Sequence, residues 1–421
     1  MNIPMRQGFV SIVLLVSLAG CHAPQTVVRP GTPSPTVAAQ KKDLPAITPG
    51  RIEANLTKVT MLDAATYNPV KPAATYKALD EATAQCLGAA HSSTANLLDE
   101  ENAKPSIITV KKKHHDCPDT RGDDLMRELR RLVAMEYRNK AAAETLDRYV
   151  QLADVVARTA LARDGLKTFD ELRTEVPKLR AKGIPTPDDD DLTRQRAKLI
   201  ADLITADAGI VLLEHELISK LGIKMLPSEH LWPTGPFDID PQEMDAEKAV
   251  ALGLQNRAEL TALRTLQREL NEATLPAVRE QLRTMNGLLG LPPQSMKLLT
   301  MFHPKPPTDA IDEAELATRR RQLADLLASK EGEVEAQVRQ AMTQMTAAAT
   351  KTALLQARAV SQDEKWLKAK AENKTLDIHT ARLDLLRADS EVIAAAMEWH
   401  QWRIRMRAAQ GLLGSECLTN R

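Results

Sequence analysis

Residues 323–355 read LADLLASKEGEVEAQVRQAMTQMTAAATKTALL, and their apolar residues return at spacings of mostly three and four. That period is typical of an α-helix that packs along one face. The helical pattern runs from Asp312 to about Glu372, a rod of roughly 90 Å at 1.5 Å per residue. Such a rod is stable in water only against partner helices. Its stripe consists of Leu323, Leu327, Val334, Val338, Ala341, Met345, Ala348 and Leu355.

The predicted partner helix follows directly in the sequence. Residues 377–413 show the same spacing, so residues 312–413 are predicted to form an antiparallel coiled-coil hairpin. A second hairpin is predicted over residues 122–222, with helices from about Asp123 to Leu179 and from Asp188 to Leu221. The long helices of these two hairpins predict an elongated, helix-rich protein.

The two hairpins look like copies of one unit. Gly183 and Asn373 stand at the predicted turns, and both residue types tolerate a left-handed backbone. Each hairpin ends at a glycine, Gly222 or Gly411, which is a common stop signal of a helix. The sequence therefore predicts an all-α fold in two similar halves, with little or no β-structure.

The composition agrees with long packed helices. Of 421 residues only 3% are aromatic while 27% are charged, which argues against a β-sandwich or a β-barrel. The 56 Lys and Arg residues equal the 56 Asp and Glu residues, so the formal net charge is zero. No overall field would attract a polyanion, and no nucleic-acid partner is predicted.

The N-terminus indicates secretion. One basic residue, Arg6, precedes the apolar run Phe9–Leu18, and Leu-Ala-Gly then leads to Cys21. This ending resembles the lipobox of bacterial lipoproteins, which implies that residues 1–20 are a lipoprotein signal peptide and that Cys21 carries lipid. Residues 21–49 are rich in Pro, Thr, Val and Ala without any period, so they are predicted to be a disordered tether.

The remaining segments are less regular. Residues 50–121 are predicted to hold a helix around Lys77–Leu98 and an irregular part with one short β-prone run, 106–110. Residues 223–311 are predicted to be a connector around a middle helix, which starts at Asp245, extends to about Leu289 and is kinked at Pro276. Residues 414–421 form the tail.

Three cysteines follow Cys21 in the sequence, namely Cys86, Cys117 and Cys417. One disulfide could form in an oxidising compartment, and a Cys86–Cys117 bond would close the shorter loop and leave one thiol over. The sequence leaves the pairing open.

A metal site or an active site is not predicted. The candidate ligands His114, His115, Asp116 and Cys117, with Cys86 and His91 upstream, match no common zinc spacing. No nucleophile elbow, phosphate loop or His-Glu-x-x-His motif occurs, so neither an enzyme nor a cofactor is expected. The run Asp188–Asp191 can be explained equally by helix capping or by a cation or partner site. The three tryptophans of the second hairpin are interpreted as anchors of its interface: Trp366, Trp399 and Trp402.

Residues 245–260 read DAEKAVALGLQNRAEL and resemble the stretch "eeAvalALqnRpEL" of the TolC-like outer-membrane efflux proteins. The lipobox, the paired helical hairpins and the closing residues 409–413, AQGLL, resemble the same family. The resemblance covers roughly residues 120–413.

The resemblance implies a homotrimer whose hairpins pack into a hollow helical barrel in the periplasm. Such a protein works at the outer membrane with an inner-membrane pump and a periplasmic adaptor. The adaptor would contact the hairpin tips, which are Lys182, Gly183, Ile184, Thr186 and Asp188 in the first hairpin and Asn373, Lys374, Thr375 and Asp377 in the second.

One departure from the family concerns its transmembrane strands. The connectors 223–244 and 290–311 are rich in proline and do not alternate, and the chain has only 12 aromatic residues with which to build girdles. We therefore expect these strands to be reduced or missing, and lipid on Cys21 to provide most of the anchoring. Two functions remain: a lipid-anchored efflux conduit, or a periplasmic scaffold lipoprotein that does not conduct.

Overall fold

A computed structural model describes residues 44–47, 75–103, 121–239, 245–285 and 308–419. The helices are α1 (Glu81–Ala90), α2 (Ser93–Ala103), α3 (Arg121–Ala181), α4 (Asp189–Leu221), α5 (Ala246–Asn256), α6 (Ala258–Glu269), α7 (Leu275–Met285), α8 (Thr308–Ala371), α9 (Thr375–Ala409) and α10 (Leu412–Thr419). The strands are β1 (Ala46–Ile47), β2 (Thr75–Asp80) and β3 (Glu229–Thr234). The predicted all-α class is confirmed, with one small sheet added.

Two long hairpins dominate the molecule. Helices α3 and α4 form the first hairpin, and α8 and α9 form the second. Helix α9 packs against α3 as well as against α8, so the hairpins lie side by side in the order α4, α3, α9, α8. This order places α4 and α8 at the two edges of a four-helix layer.

The stripe predicted on α8 is buried against its neighbours. Leu323, Val334 and Val338 are fully buried, and Ala341, Met345 and Ala348 are nearly so. On α9, where the same spacing was predicted, Leu386, Ile393, Met397 and Ile404 are buried as well. The last four belong to the largest core cluster, which also includes Leu146, Leu152 and Leu161 of α3. Burial of each such side chain stabilises the fold by about 1.5–3 kcal/mol, so the shared α3–α9 core holds the hairpins together.

The middle helix predicted over residues 245–289 is wrong, because the chain forms three shorter helices there. Arg257 and Leu270 have extended backbones, with ψ angles of 117° and 108°, and they separate α5, α6 and α7. Pro276 is the second residue of α7. A proline is tolerated in the first helical turn because its missing N–H has no partner there. Pro276 therefore begins a helix and does not kink one.

A three-stranded sheet was not predicted. The predicted helix around Lys77–Leu98 is wrong over its first residues, because β2 pairs antiparallel with β1 and parallel with β3. β3 lies in the connector 223–244, for which no strand was expected, and β1 takes up two residues of the predicted tether. The strands are held by burial of side chains that are distant in sequence, above all Leu79, Leu231 and Trp232. Such pairing leaves no local signal.

The disulfide joins Cys86 to Cys417, with their Cα atoms 5.2 Å apart. Of the pairings that the sequence left open, the structure has Cys86–Cys417 and not the shorter-loop pair Cys86–Cys117. Cys417 belongs to α10, which takes up most of the predicted tail and packs against α1 and α3. Loop length governs how often two cysteines meet in an unfolded chain, whereas the fold decides which pair is brought together. Cys117 lies outside the described residues.

Several predicted features also lie outside the described residues: the signal peptide, Cys21, most of the tether, the run 106–110 and the connector from 290 to 307. Of the helices in the described ranges, none has an apolar stretch long enough to cross a membrane.

Candidate functional site

The first tip, defined as residues 182–188, begins with a turn of fixed geometry. The Ile184 N–H donates to the Leu179 carbonyl at 3.1 Å, and the Gly183 N–H donates to the Arg180 carbonyl at 2.9 Å. This pair of bonds is the Schellman motif, which requires a left-handed residue. Gly183 supplies it with φ 72°. The turn occurs at the position that the sequence predicted.

The second tip, defined as residues 372–377, repeats the same turn. The Lys374 N–H donates to the Ala369 carbonyl and the Asn373 N–H to the Lys370 carbonyl, both at 3.2 Å. Asn373 has φ 51° and is the one non-glycine residue with a positive φ in the described part of the chain. Thr375 already begins α9. The turn itself is therefore three residues long, against seven in the first tip.

A side chain holds the longer loop of the first tip in place. Arg180 donates to both carboxylate oxygens of Asp189, at 3.0 and 3.2 Å, and to the Pro187 carbonyl and the Thr186 hydroxyl. The hydrogen bond from Arg180 lowers the pKa of Asp189 below its usual value. Arg180 thus bridges the end of α3 and the start of α4, a contact that the sequence analysis missed.

The run Asp188–Asp191 is used in several ways. Asp188 occupies the N-cap position of α4, but its side chain makes no capping hydrogen bond. Asp189 binds Arg180, whereas Asp191 accepts hydrogen bonds from Arg194 and Gln195. All four carboxylates lie at or within the first turn of α4, where the helix dipole favours negative charge. Side-chain capping by Asp188 therefore does not explain the run.

Both tips lie at the same end of the molecule. Phe169, Leu172 and Val176 of α3 and Leu192 of α4 form a cluster against which Leu376 and Leu383 of α9 pack. At the apex Ile184 is 41% exposed, and no atom lies within 4 Å of the position where a Cβ on Gly183 would stand. The structure thus brings the two predicted groups of tip residues together on one accessible surface.

Each edge helix carries a second, exposed stripe that we call a seam. The α4 seam and the α8 seam both follow the spacing four, three, four, three. At 100° per residue, the α4 seam points roughly 140° away from the buried face of that helix, and the α8 seam roughly 180° away. The seams consist of Ala197, Ala201, Ile204, Ala208 and Val211 on α4 and of Thr343, Ala347, Thr350, Leu354 and Ala357 on α8.

The seams are open to solvent, and apart from Thr343 and Thr350 of the α8 seam their residues are apolar. Ile204 is 65% exposed and Leu354 is 69% exposed. A shallow groove runs along the α8 seam. Only the buried stripe of α8 was predicted from the sequence. The exposed seams follow the same heptad spacing and could have been predicted from it.

The family-like segment 245–260 has a packing role. Arg257 is buried between α5 and α6, with its guanidinium 2.7 Å from Glu259 and 3.7 Å from Glu136 of α3. It also donates weakly to Gln337 of α8, at 3.4 Å, and to the Ala409 carbonyl of α9. Burial raises the pKa of Glu136, and the positive charge of Arg257 opposes that shift. Arg257, in the segment that resembles the family most specifically, therefore contacts residues of both hairpins through its guanidinium.

The remaining candidates also have structural partners. Trp399 is buried against Ala341 and Met345, which agrees with its interpretation as a hairpin anchor. Trp366 lies between the cations of Lys370 and Arg382, 5.3 and 5.1 Å from its ring centre. Within the described ranges, no group of three or more His, Cys, Asp or Glu side chains is placed to hold a metal ion.

Comparison with solved structures relates this architecture to known outer membrane proteins. The chain is similar to VceC, an outer membrane protein of Vibrio cholerae, with 12% identity and a TM-score of 0.50 over 79% of this chain and 94% of VceC. It is similar to the CmeC outer membrane channel of Campylobacter jejuni, with 11% identity and a TM-score of 0.50 over 81% and 88% of the two chains. A membrane protein of Pseudomonas aeruginosa matches with 14% identity and a TM-score of 0.50 over 69% and 73%.

No protein-family model and no curated protein matches the sequence. The likeness therefore lies in the architecture, which is two long hairpins side by side with their tips at one end. The resemblance that segment 245–260 indicated agrees with it. The chain has the fold of the TolC-like outer membrane channels.

Proposed function

We propose that this protein is an outer-membrane export conduit, formed when copies of the chain join edge to edge. The observation that carries the proposal is the pair of seams on α4 and α8. In the part of the chain that the structure describes, each edge of the four-helix layer presents a heptad-spaced, exposed stripe, although α5 and α6 pack against another part of α8. Contact between the α4 seam of one copy and the α8 seam of the next would cover both edges.

Such a contact is heterologous, because two different surfaces meet. Heterologous contacts generate closed rings when the rotation between neighbours closes. Three copies, the number that the family resemblance implies, would give a cylinder of twelve long helices. Burial of Ile204 and Leu354 in each contact would add about 1.5–3 kcal/mol per side chain.

The tips give the conduit a place to meet its partners. The first tip is held by Arg180 and exposes Ile184, and the second tip lies beside it. We propose that a periplasmic adaptor binds this end and connects it to an inner-membrane pump. Lipid on Cys21 would anchor the protein at the outer membrane, with most of the chain in the periplasm. Transport would be passive movement through the lumen, with no bond chemistry.

The oligomer is tested with one seam variant and one control. Ile204→Asp places a charge in the α4 seam, and Leu97→Asp places the same charge on α2, where Leu97 is 55% exposed and outside both seams. We expect detergent-extracted wild type and Leu97→Asp to have the mass of a trimer and Ile204→Asp to be monomeric. A monomeric wild type, or a trimeric Ile204→Asp protein, would contradict the seam contact.

Conduction is tested separately in planar bilayers. Stepwise conductance by the wild type, lost in Ile204→Asp and retained in Leu97→Asp, would support the conduit. A trimer without conductance would favour the scaffold. Loss of radioactive palmitate in Cys21→Ala would show the anchor, and cross-linking from Ile184 to a second periplasmic protein would identify the adaptor.

A further inference from the structure

The native disulfide skips a cysteine. Cys86 pairs with Cys417, which is 331 residues away, although Cys117 is only 31 residues away. We propose that this bond forms by thiol–disulfide exchange from an earlier Cys86–Cys117 bond. The proposal concerns the maturation of the chain and does not depend on its export function.

Chain entropy favours Cys117 as the first partner. The probability that two residues of an unfolded chain meet falls with about the three-halves power of their separation. Separations of 31 and 331 residues therefore favour the Cys86–Cys117 pair by roughly 35-fold. Chains are also made and exported from the N-terminus, so Cys417 becomes available long after Cys117.

Folding reverses that preference at the surface where α1 meets α10. The Gln85 amide donates to the Leu413 carbonyl and to the Glu416 carboxylate, both at 2.9 Å. Arg407 of α9 binds Glu416 and, at 3.4 Å, Glu81 of α1. These contacts fix α10 against α1, and Leu413, the second residue of α10, is fully buried.

The docked helices bring the two cysteines into bonding distance. Their Cα separation of 5.2 Å falls within the range that a disulfide requires. Both cysteines are half-buried and not fully enclosed in the core. The native pair thus becomes favourable only after the C-terminal helix has docked.

The exchange itself needs no oxidant. The Cys417 thiolate attacks Sγ of Cys86, the Cys86–Cys417 bond forms and the Cys86–Cys117 bond breaks. Cys117 leaves with the electron pair as a thiolate, and it takes up a proton equal to the one that Cys417 lost. The first bond is an oxidation, which a dithiol–disulfide oxidase or oxidised glutathione supplies by accepting the two electrons. The second step only moves that bond.

The test follows the disulfide during refolding of the full chain with Cys21→Ala, which leaves Cys86, Cys117 and Cys417 as the thiols. Reduced, denatured protein is refolded with oxidised and reduced glutathione, quenched with acid, alkylated and mapped by mass spectrometry. We expect the Cys86–Cys117 bond to form first and the Cys86–Cys417 bond to replace it. The chain carrying the first bond is then freed of glutathione and returned to native conditions, where it should still convert.

Two variants provide the controls. Cys417→Ser should stop at the Cys86–Cys117 bond, whereas Cys117→Ser should form the native bond without an intermediate. Direct appearance of Cys86–Cys417 with no earlier bond, or no conversion after removal of glutathione, would overturn the proposal. If Cys117→Ser does not fold, the wild-type time course decides the question alone.

Discussion

The first and second hairpins reverse direction through the same backbone turn, but the loops at their tips differ in length and in side-chain contacts. Both turns have the Schellman hydrogen bonds and one left-handed residue, Gly183 or Asn373. The first tip has seven residues between its helices, fastened by Arg180, whereas the second has three before α9 begins. Main-chain bonds are therefore sufficient for the reversal, and the extra residues of the first tip need a side chain to hold them.

The hairpins also differ in the size of the side chains between their two helices. The first uses large residues, Phe169, Leu172 and Val176, while the second uses Ala359, Ala388 and Val392. Small residues permit a shorter distance between helix axes than large ones. The first hairpin should therefore be sensitive to cavities and the second to added volume.

The largest expected effect comes from that contrast in volume. Phe169→Ala should lower the free energy of unfolding by about 3–5 kcal/mol, because it leaves a cavity. Ala388→Leu should lower it by about 1–3 kcal/mol, because the extra atoms have no space. Urea unfolding followed by circular dichroism would measure both. Tyr137→Ala, at an exposed position of α3, is the control and should change little; if Phe169→Ala behaves like this control, the first tip does not depend on large side chains.

The second prediction compares two buried ionisable groups, Glu214 of α4 and His400 of α9. Burial lowers the pKa of His400 from 6.5 to about 4, Arg403 adds to the shift, and Glu81 and the Phe237 backbone oppose it. Burial raises the pKa of Glu214, and its hydrogen bond to His230, at 2.8 Å, opposes that shift. The two groups should therefore respond to acid in opposite directions.

For His400 the folded pKa lies below the unfolded one, so its contribution is complete above pH 6.5 and is lost as the pH falls towards 4. The loss amounts to about 3 kcal/mol. His400→Gln should remove this part of the acid sensitivity in thermal unfolding. For Glu214 the folded pKa is raised, so stability is regained as the pH falls through it, and Glu214→Gln should make acid more damaging relative to neutral pH. An unchanged pH profile in both variants would contradict the assignments.

A smaller effect is expected at the two left-handed turn positions. Gly183→Ala should destabilise the first hairpin by about 1–2 kcal/mol, because alanine is strained at φ 72° although nothing lies near its Cβ. Asn373→Gly should change the second by a few tenths of a kcal/mol, because asparagine already tolerates that conformation. Chemical unfolding of both variants beside the wild type measures the difference. If Gly183→Ala had an effect as small as that of Asn373→Gly, it would contradict the left-handed backbone at Gly183.

The smallest effect on overall stability should come from Arg180. Arg180→Ala should increase hydrogen exchange and proteolysis within residues 182–188 several-fold, since three of its partners lie in or next to that loop. Lys374→Ala is the matched control, because it removes an ion pair with Glu372 in the second tip but leaves the main-chain bonds of that turn in place. The unfolding midpoint should stay the same in both variants. Equal protection of the first tip with and without Arg180 would show that the loop is ordered by something else.

The features that follow from local pattern were predictable. Helical spacing of apolar residues predicted α8 and α9, and the glycine and asparagine positions predicted both turns and both helix ends. The family-like segment gave the correct architecture, although its central residue, Arg257, acts in packing. These signals are strong because helix periodicity and left-handed turns are set by residues close in sequence.

The features that depend on distant contacts were not predictable. The pairing of β2 with β3 joins two six-residue segments on either side of the first hairpin, and neither alternates clearly. The Cys86–Cys417 bond depends on how α10 docks, and the Arg180 contacts depend on the path of the first tip. The seams are an exception, because their heptad spacing is visible in the sequence itself.

The parallel pairing of β2 with β3 has a kinetic consequence. Thr75 and Glu229 are partners, and the whole first hairpin lies between them in sequence. Contacts between residues so far apart raise the contact order of this region. In each hairpin, by contrast, contacts can form first next to the turn, between residues that are close in sequence. The amides of the sheet should therefore be protected later than those of the first hairpin in pulse-labelling hydrogen-exchange experiments. A chain that stopped folding at this stage would have formed its helices but not the pairing of β2 with β3.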